Sequence, residues 1–288
     1  MSEINGIKDD VKVYIRHCEE RTVPILEWFF RDFETELLNG LNRRFADVLE
    51  EMFLKIKDQK QRFALVLDGD LIPVISIKEI LQLFIMVLHK TKNITTLNGD
   101  RIDKFFTMNR PQIGGIKAYK KDKIGLYLKN IDKKQFRPES FLYNKIGYFA
   151  HLKTKRPQVG HEYGQFLWHL YEKAIQRGAK ATKEVQMRDG DDIDFAVYKE
   201  AYSLGKKNKN SHVHGSYKRE NLPLKYLKEE KKDISPNDVE NEYLKLKEEI
   251  YKDIREDIGD VVNETAGLDI KENKWPLLKV LKRKFVLR

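Results

Sequence analysis

Hydrophobic residues recur at intervals of three and four over much of the chain, which is the period of an amphipathic helix. In the first 60 residues the pattern runs through VPILEWFFRDFETELLNGLNRRFADVLEEMFLKI, where Pro24 suits a first helical turn. It returns over 77–90 and again over 141–153. These stretches predict helices along most of the N-terminal half of the chain.

Three other stretches change to short runs of β-forming residues on either side of a turn. QRFALVLDGDLIPVIS turns at Asp68-Gly69-Asp70, and KEVQMRDGDDIDFAVYKE turns at Asp189-Gly190. GIKAYKKDKIGLYLKN (115–130) has a basic turn. An Asp-Gly pair between two such runs is typical of a β-hairpin, so the sequence predicts small hairpins here.

The C-terminal third begins with a polar, Lys-rich stretch over 203–235 that predicts a long loop or linker. Ser235-Pro236 then suits a helix start. The helix that follows carries apolar residues at helical spacing: Val239, Tyr243, Leu246, Ile250, Ile254, Ile258 and Val261. Such a stripe predicts a helix docked on the rest of the chain, with a coiled-coil dimer as the alternative.

Together these elements predict an α+β fold that is predominantly helical with small β-hairpin elements. We expect a mainly helical core domain with small hairpins over 1–205, a basic loop or linker over 206–235, and a C-terminal helical segment with a basic tail over 236–288. A chain of 288 residues with 41% hydrophobic content can bury a core of this size.

The charge balance favours a polyanionic partner. Lys and Arg number 55 against 45 Asp and Glu, which gives a net charge of +10 and an isoelectric point near 9.3. Nucleic acid is the first partner that such an excess indicates. A basic surface without a specific partner is the alternative.

The sequence disfavours disulfide-rich, cysteine-rich zinc, secreted and membrane-spanning proteins. The single cysteine, Cys18, excludes a disulfide scaffold and a cysteine-rich zinc site. The first residues lack the basic and apolar regions of a signal peptide, and the apolar run LQLFIMVL is too short to span a bilayer. We therefore expect a cytoplasmic protein and no membrane partner.

The stretch KTKRPQVGHEYGQFLWHLYEK (153–173) holds the first candidate chemistry, Arg156 and His161. A histidine can move protons near neutral pH, and a guanidinium can hold a phosphate at two points. The pair resembles the R-x-x-x-x-H pattern of HEPN-type ribonucleases. That resemblance implies metal-independent RNA cleavage, with His161 as acid/base and Arg156 as phosphate clamp. The alternatives are an ordinary helix start and a metal site that uses His161 and His169, with Glu162 and Glu172 nearby.

A second candidate is the triplet His212-Val213-His214. On a strand, both imidazoles would face the same side and could hold a divalent metal. The triplet resembles the metal motif of HUH-type endonucleases, which use a tyrosine nucleophile, and this resemblance points to Tyr243 or Tyr251. A surface loop is the alternative interpretation.

Carboxylates supply a third candidate, because Asp191, Asp192 and Asp194 precede an apolar run. Carboxylates at a strand start can hold Mg²⁺, as in the PD-(D/E)XK-like nucleases that this segment resembles. Asp68 and Asp70 offer the same choice between a metal site and an acidic turn. If a cofactor is used, we expect Mg²⁺ or Mn²⁺.

Basic segments form the strongest collective signal for nucleic acid. Positive side chains meet phosphates, and tyrosine rings stack on unpaired bases. The residues predicted to make these contacts are Lys117, Lys120, Lys121, Lys206, Lys207, Lys209, Tyr217, Lys218, Arg219, Lys282, Arg283 and Lys284.

The sequence thus leads to a nucleic-acid-binding protein with RNA or single-stranded DNA as partner. The working hypothesis is a phosphodiester-cleaving, HEPN-like ribonuclease of a defence system or mobile element. Two alternatives stay open. One is a non-catalytic scaffold subunit of a larger nucleoprotein complex, which would meet a protein partner or another copy through the 236–262 helix. The other is a metal-dependent DNA nuclease.

Overall fold

Eight strands form one sheet in the computed structural model, which describes residues 6–107, 112–135, 138–146, 149–152, 156–181, 186–208 and 218–259. The strands are β1 (Val11–His17), β2 (Glu34–Asn39), β3 (Phe63–Asp68), β4 (Leu71–Pro73), β5 (Thr96–Asp103), β6 (Gln112–Lys120), β7 (Phe149–His151) and β8 (Val159–His161). Their order is β2-β1-β3-β6-β5-β8-β4, with β7 also paired to β5.

Helices connect and cover these strands. They are α1 (Val23–Phe29), α2 (Phe45–Asp58), α3 (Ile77–Ile80), α4 (Val87–Lys90), α5 (Ile124–Leu128), α6 (Pro138–Ile146), α7 (Leu167–Lys180), α8 (Ile193–Lys207), α9 (Leu224–Leu227) and α10 (Val239–Ile258). A π-helical turn, Leu81–Met86, joins α3 to α4. No helix in the described ranges is both long and apolar enough to cross a membrane.

The direction of the strands decides where chemistry can gather. Strands β2, β1 and β3 are parallel, and β6 lies antiparallel between β3 and β5. Because β6 is antiparallel to both β3 and β5, β5 runs in the same direction as β1 and β3. Strand β8 is parallel to β5 and so shares that direction. The carboxyl ends of β1, β3, β5 and β8 therefore meet at one edge of the sheet, the carboxyl edge. The opposite edge is the amino edge.

The expectation of a predominantly helical fold is wrong. The N-terminal region contains three parallel strands, and parallel strands need crossover connections, which α1 and α2 supply. Strands β1 and β3 are covered on both faces, so their apolar residues do not alternate with polar ones. Without that alternation, strand and helix residues merge into one apolar pattern that resembles a long helix.

The hairpin predictions are also wrong in their pairing. The turn at 68–70 joins β3 to β4, yet β3 pairs with β1 and β6 while β4 pairs with β8. The turn at 189–190 precedes helix α8, whose first turn is capped by Asp192: its carboxylate accepts a hydrogen bond of 3.0 Å from the Phe195 amide. The basic turn after β6 leads into helix α5 rather than a second strand.

Apolar clusters cover both faces of the sheet. One joins Val13 and Leu65 to Phe84 of the π turn, and the other joins Val66 to Met52 and Phe53 of α2. The predicted C-terminal helix is confirmed as α10. Its stripe packs on α1 and β4 of the same chain, with these residues buried: Val239, Tyr243, Leu246, Ile250 and Ile254.

Helices α7 and α8 cross at two glycines. A Cβ atom on Gly178 would collide with the backbone of Tyr202, and one on Gly205 would collide with the backbone carbonyl of Ile175. Backbone atoms cannot move aside as a flexible side chain can. Glycine at both positions is what allows the two helices to pack so closely.

We expect Gly178→Ala and Gly205→Ala each to lower the free energy of unfolding by about 1–3 kcal/mol, because the helices must separate to admit the methyl group. Urea denaturation measures this change. Gly125→Ala is the matched control, since no atom lies within 4 Å of a Cβ at that helical position. Equal stability of the three variants would refute the close crossing.

Candidate active site

A cavity of about 200 Å³ opens at the carboxyl edge between the ends of β1 and β3. The connection after β1 leads to β2 on one side, and the connection after β3 leads to β4 on the other side. Open α/β sheets bind ligands at such a switch point, outside the carboxyl ends of the strands. We call this cavity the carboxyl-edge crevice; His17, Asp68, Asp70, His161 and Lys173 are among its lining residues.

The turn Asp68-Gly69-Asp70 follows β3 directly and is held close to the loop after β1. The Gly69 amide donates to the Arg16 carbonyl at 2.7 Å, and Thr22 Oγ1 donates to the Gly69 carbonyl at 2.6 Å. A Cβ atom on Gly69 would lie 2.7 Å from Glu20 Oε2. Glycine between the two aspartates therefore allows both loops to meet in the crevice.

Asp68 belongs to a buried network of charges. Its Oδ1 accepts a 2.9 Å hydrogen bond from Arg16 Nε, and Lys117 Nζ lies 3.8 Å from its Oδ2. Glu139 of α6 joins the same cations, 2.8 Å from Lys117 and 3.3 Å from Arg16. Burial alone would raise the pKa of Asp68, but Arg16 and Lys117 hold it well below its usual range. Asp68 is therefore ionised at neutral pH.

A second chain of contacts runs across the ends of β5 and β8. His161 Nε2 lies 3.1 Å from Asp70 Oδ2, and His161 Nδ1 lies 3.0 Å from Asp103 Oδ2. Arg177 of α7 donates to Asp103 from two nitrogens, at 2.5 and 3.2 Å. Lys173 of the same helix contacts Asp70. Asp103 thus fixes the orientation of the imidazole.

This arrangement leaves two acceptors facing each other. Burial, followed by repulsion from Arg101, lowers the pKa of His161, which favours the neutral ring at neutral pH. A neutral ring that donates Nδ1–H to Asp103 presents its Nε2 lone pair to the Asp70 carboxylate. Lys173 contacts the same Asp70 oxygen and offsets part of this repulsion. A metal ion between the imidazole and the carboxylate would also fit the spacing, because two ligands about 2.1 Å from a metal and at right angles lie about 3 Å apart.

Glu162 completes a possible set of metal ligands. Donor atoms of Asp70, His161 and Glu162 all lie within 4.8 Å of one another, and all three residues are buried. Glu162 has a φ of 69°, in the left-handed region that costs energy for a residue with a side chain. Backbone strain of this kind collects at functional sites. The set of one imidazole and two carboxylates suits Mn²⁺ or Mg²⁺.

Three further ionisable groups line the crevice with shifted pKa values. Burial raises the pKa of Glu20, against the opposing charge of Lys173, so its carboxylate is a stronger base than an exposed one. Burial lowers the pKa of Lys173, although Glu20 and Asp68 oppose the shift. Burial also raises the pKa of the Cys18 thiol to about 12, which keeps it protonated at neutral pH.

The structure separates the predicted pair Arg156 and His161. His161 ends strand β8 and lines the crevice, whereas we had expected it on a helix. Arg156 lies over the Tyr251 ring, 4.5 Å from its centroid, and donates to the Val74 carbonyl at 3.2 Å. Arg156 does not line the crevice. Their joint action in cleavage remains a prediction.

His169 and Glu172 lie apart from the donor set of Asp70, His161 and Glu162. His169 is fully buried in α7, 3.6 Å from Glu20, and burial lowers its pKa to about 3. Glu172 accepts a hydrogen bond from Asn221.

The acidic cluster before α8 serves mainly that helix. Asp192 caps it, and Asp194 pairs with Lys104 at 2.8 Å and Lys231 at 2.7 Å, while Asp191 is exposed. Of the proposed nucleophiles, Tyr243 is buried and Tyr251 donates to the Val74 carbonyl.

The predicted nucleic-acid contacts are distributed over several places. Lys117 is buried in the network around Asp68, and Lys120 and Lys121 line a cavity at the amino edge. Exposed positions are occupied by Lys206, Lys207, Lys218 and Arg219. The remaining predicted residues lie outside the described ones: Lys209, His212, His214, Tyr217, Lys282, Arg283 and Lys284. A role in binding nucleic acid remains a prediction for the exposed residues.

Several residues escaped the sequence interpretation: Arg16, Glu20 and Lys173, which line the crevice, and Asp103 and Arg177, which lie next to His161. The available signal was the position of polar residues directly after apolar runs, as in FALVLDGD. Once 63–68 is recognised as a buried strand, the two aspartates lie at its carboxyl end. Recognising 96–103 and 159–161 as strands would have placed Asp103 and His161 beside them.

Comparisons with known proteins add little. No family model matches the sequence, and no curated protein matches it. Among solved structures, the chain is similar to the crystal structure of A197 from STIV, with 15% identity, a TM-score of 0.31, and coverage of 54% of this chain and 84% of that chain. A likeness at that score carries no argument, so the function must be inferred from the geometry of the crevice.

We expect Mn²⁺ to bind at the crevice, and Asp70→Asn and His161→Ala each to weaken it about tenfold or more, because each removes a ligand. Electron paramagnetic resonance of the free ion measures the binding. His89→Ala is the matched control, at an exposed histidine outside the crevice. Because its pKa is lowered, His161 should bind metal at pH 6.5, with affinity falling only at lower pH. Unchanged affinity in both ligand variants would contradict the site.

Asp103→Asn should cost about 1–3 kcal/mol at neutral pH, because it removes one of two carboxylates that pair with the half-buried Arg177, the other being Glu162. Arg177 and His161 hold the pKa of Asp103 below its usual range against the effect of burial. Its contribution to stability is therefore present above an unfolded pKa of about 4 and is lost as the pH falls below that value. Urea denaturation should show a shallower acid dependence in the variant than in the wild type. Asp58 is exposed, so Asp58→Asn is the control. It should change neither the stability at neutral pH nor the acid dependence of that stability.

Proposed function

We propose that the carboxyl-edge crevice binds a divalent cation together with the diphosphate of a nucleotide-activated donor. The protein would then transfer the activated group, for which a glycosyl group fits best, to an acceptor hydroxyl. The observation that carries this proposal is the Asp68-Gly69-Asp70 turn at the switch point between the parallel strands β1 and β3 of the mixed sheet, with His161 brought beside Asp70. A sheet of this kind binds nucleotides at that point.

The charges around the crevice suit a diphosphate leaving group. Asp70, His161 and Glu162 would hold the cation, which neutralises the two phosphates as negative charge develops on them. Lys173 and Arg43 also line the crevice, where they pair with Asp70 and Glu51. Both side chains are partly exposed, and on ligand binding they could turn from these carboxylates to phosphate oxygens. Arg16 is already paired with Asp68 and Glu139, so we assign it to holding Asp68 in place.

Glu20 is the best candidate for the base that activates the acceptor. It lines the crevice, and burial raises the pKa of its carboxyl group. In the transfer, the acceptor oxygen bonds to the activated carbon as that carbon's bond to the diphosphate oxygen breaks. The acceptor proton goes to the carboxylate, and the electron pair of the broken bond stays on the diphosphate.

Transfer of a phosphoryl group is less well supported. The sequence contains no G-x-x-x-x-G-K-[ST] loop, the segment that cradles the phosphates in one large class of phosphoryl-transfer enzymes. Donors such as nucleoside diphosphate sugars instead keep both phosphates on the leaving group. A metal held by side chains at a strand end is enough to stabilise that group.

Metal-dependent cleavage of nucleic acid is the second candidate. The same three donors could activate a water molecule on a bound metal, and exposed basic residues such as Lys206, Lys207 and Arg219 could meet a phosphate backbone.

We also propose a cytoplasmic location, for which the single unpaired cysteine, Cys18, is the support.

Calorimetric titration with UDP, GDP and ADP, with and without Mn²⁺, tests the first candidate. We expect at least one of them to bind only when Mn²⁺ is present, and the matching sugar nucleotide to release its diphosphate slowly in the absence of an acceptor. Asp70→Asn should abolish both effects, and Asp58→Asn should change neither. The parallel assay uses labelled single-stranded RNA, single-stranded DNA and duplex DNA with Mg²⁺. Cleavage there without nucleotide binding would reject the transferase in favour of the nuclease.

A further inference from the structure

A second cavity, of about 470 Å³, lies at the amino edge, on the opposite side of the sheet from the crevice. Lys57 comes from the last turn of α2, Arg62 precedes β3, and Lys120 and Lys121 end β6. One carboxylate, that of Asp122, lines the cavity with them. Four cations from three separate segments of the chain therefore converge with a single acid.

Three of the four cations of this amino-edge cavity, Lys57, Lys120 and Lys121, make no ion pair within the described residues, whereas Arg62 pairs with Asp10. The positive charge of the cavity is therefore only partly compensated. Lys120 and Lys121 donate to the backbone carbonyls of Thr91 and Gln59, which carry no net charge. Burial, together with repulsion from Lys123, lowers the pKa of Lys120. Side chains of like charge repel one another unless an anion lies between them.

We propose that the amino-edge cavity is a binding site for a ligand that carries at least two phosphate groups. The ligand could be a soluble polyphosphorylated molecule or the phosphorylated headgroup of a lipid, since both present the same chemistry. Ammonium and guanidinium groups from several directions suit phosphate oxygens, which accept several charge-assisted hydrogen bonds at once. A concave site admits a compact cluster of phosphates more readily than the long, regular sugar-phosphate backbone of a nucleic acid.

Nucleic acid fits this cavity less well. Binding of unpaired bases needs exposed aromatic faces, and Phe63 is only 4% exposed. Its ring lies 5.6 Å from the Arg62 guanidinium carbon and 6.0 Å from the His89 ring. The sequence prediction of phosphate contacts at Lys120 and Lys121 is thereby refined to a compact phosphorylated ligand. The inference does not depend on the function proposed for the crevice.

The test is a calorimetric titration of the full chain with inorganic triphosphate in metal-free buffer. Metal-dependent binding at the crevice then does not contribute to the measured heat. We expect saturable binding that weakens as salt rises and falls about tenfold or more in Lys57→Ala/Lys121→Ala, which removes two charged contacts. Lys78→Ala/Lys228→Ala is the control with the same change in charge at exposed positions elsewhere. It should bind as the wild type does.

Lys57→Glu provides a second variant at an exposed position, in case loss of the Lys121 contact impairs folding. It should also abolish binding, with a thermal unfolding midpoint close to that of the wild type. Absence of triphosphate binding, or equal binding by wild type and both cavity variants, would overturn the proposal.

Vesicles distinguish the two sources of phosphate. Binding to phosphatidylcholine vesicles that contain a phosphoinositide, but not to phosphatidylcholine alone, would support a lipid headgroup if Lys57→Glu abolishes it. Triphosphate binding without vesicle binding would support a soluble ligand. A single-stranded oligonucleotide that displaces triphosphate and binds far more tightly would overturn the proposal in favour of nucleic acid.

Discussion

The carboxyl edge of the sheet is organised by the need to neutralise carboxylates that are buried, as Asp103 is, or half-buried, as Asp68 is. Asp68 and Asp103 are ionised although burial opposes their charge, and each depends on cations delivered by other elements. Arg16 and Lys117 reach Asp68 from β1 and β6, and Arg177 reaches Asp103 from α7. A buried charge that loses its partner is severely destabilising, so these elements must stay in their present positions.

That constraint also places the groups that can do chemistry. Once Asp103 holds one nitrogen of His161, the other nitrogen must face Asp70. Helix α7 supplies both Arg177 and Lys173, one helical turn apart, and so contacts both carboxylates. Salt bridges such as these would be a poor source of stability on the surface. Inside the sheet edge they fix the geometry of the site at which we propose that a cation, and through it a phosphate, binds.

The sequence was informative about local periodicity and much less so about pairing. Helix α10 was predicted because its apolar stripe packs on one side and leaves the other side exposed. Strands β1 and β3 were missed because both faces are covered, which removes the alternation that marks a strand. The turn at Asp68-Gly69-Asp70 was noticed, but its role depends on parallel pairing of residues about 50 positions apart, which local pattern does not reveal. His161 was noticed for a pairing with Arg156, whereas its contacts in the fold are with Asp70 and Asp103.

The central claim is that Asp70, His161 and Glu162 hold a metal ion that positions a nucleotide diphosphate in the crevice. The most direct measurement is anomalous diffraction from crystals grown with Mn²⁺ and the nucleoside diphosphate that binds in solution. The claim predicts one strong anomalous peak between these three side chains, with diphosphate density next to it on the side of Lys173. A peak elsewhere, or nucleotide density away from the carboxyl edge, would contradict it.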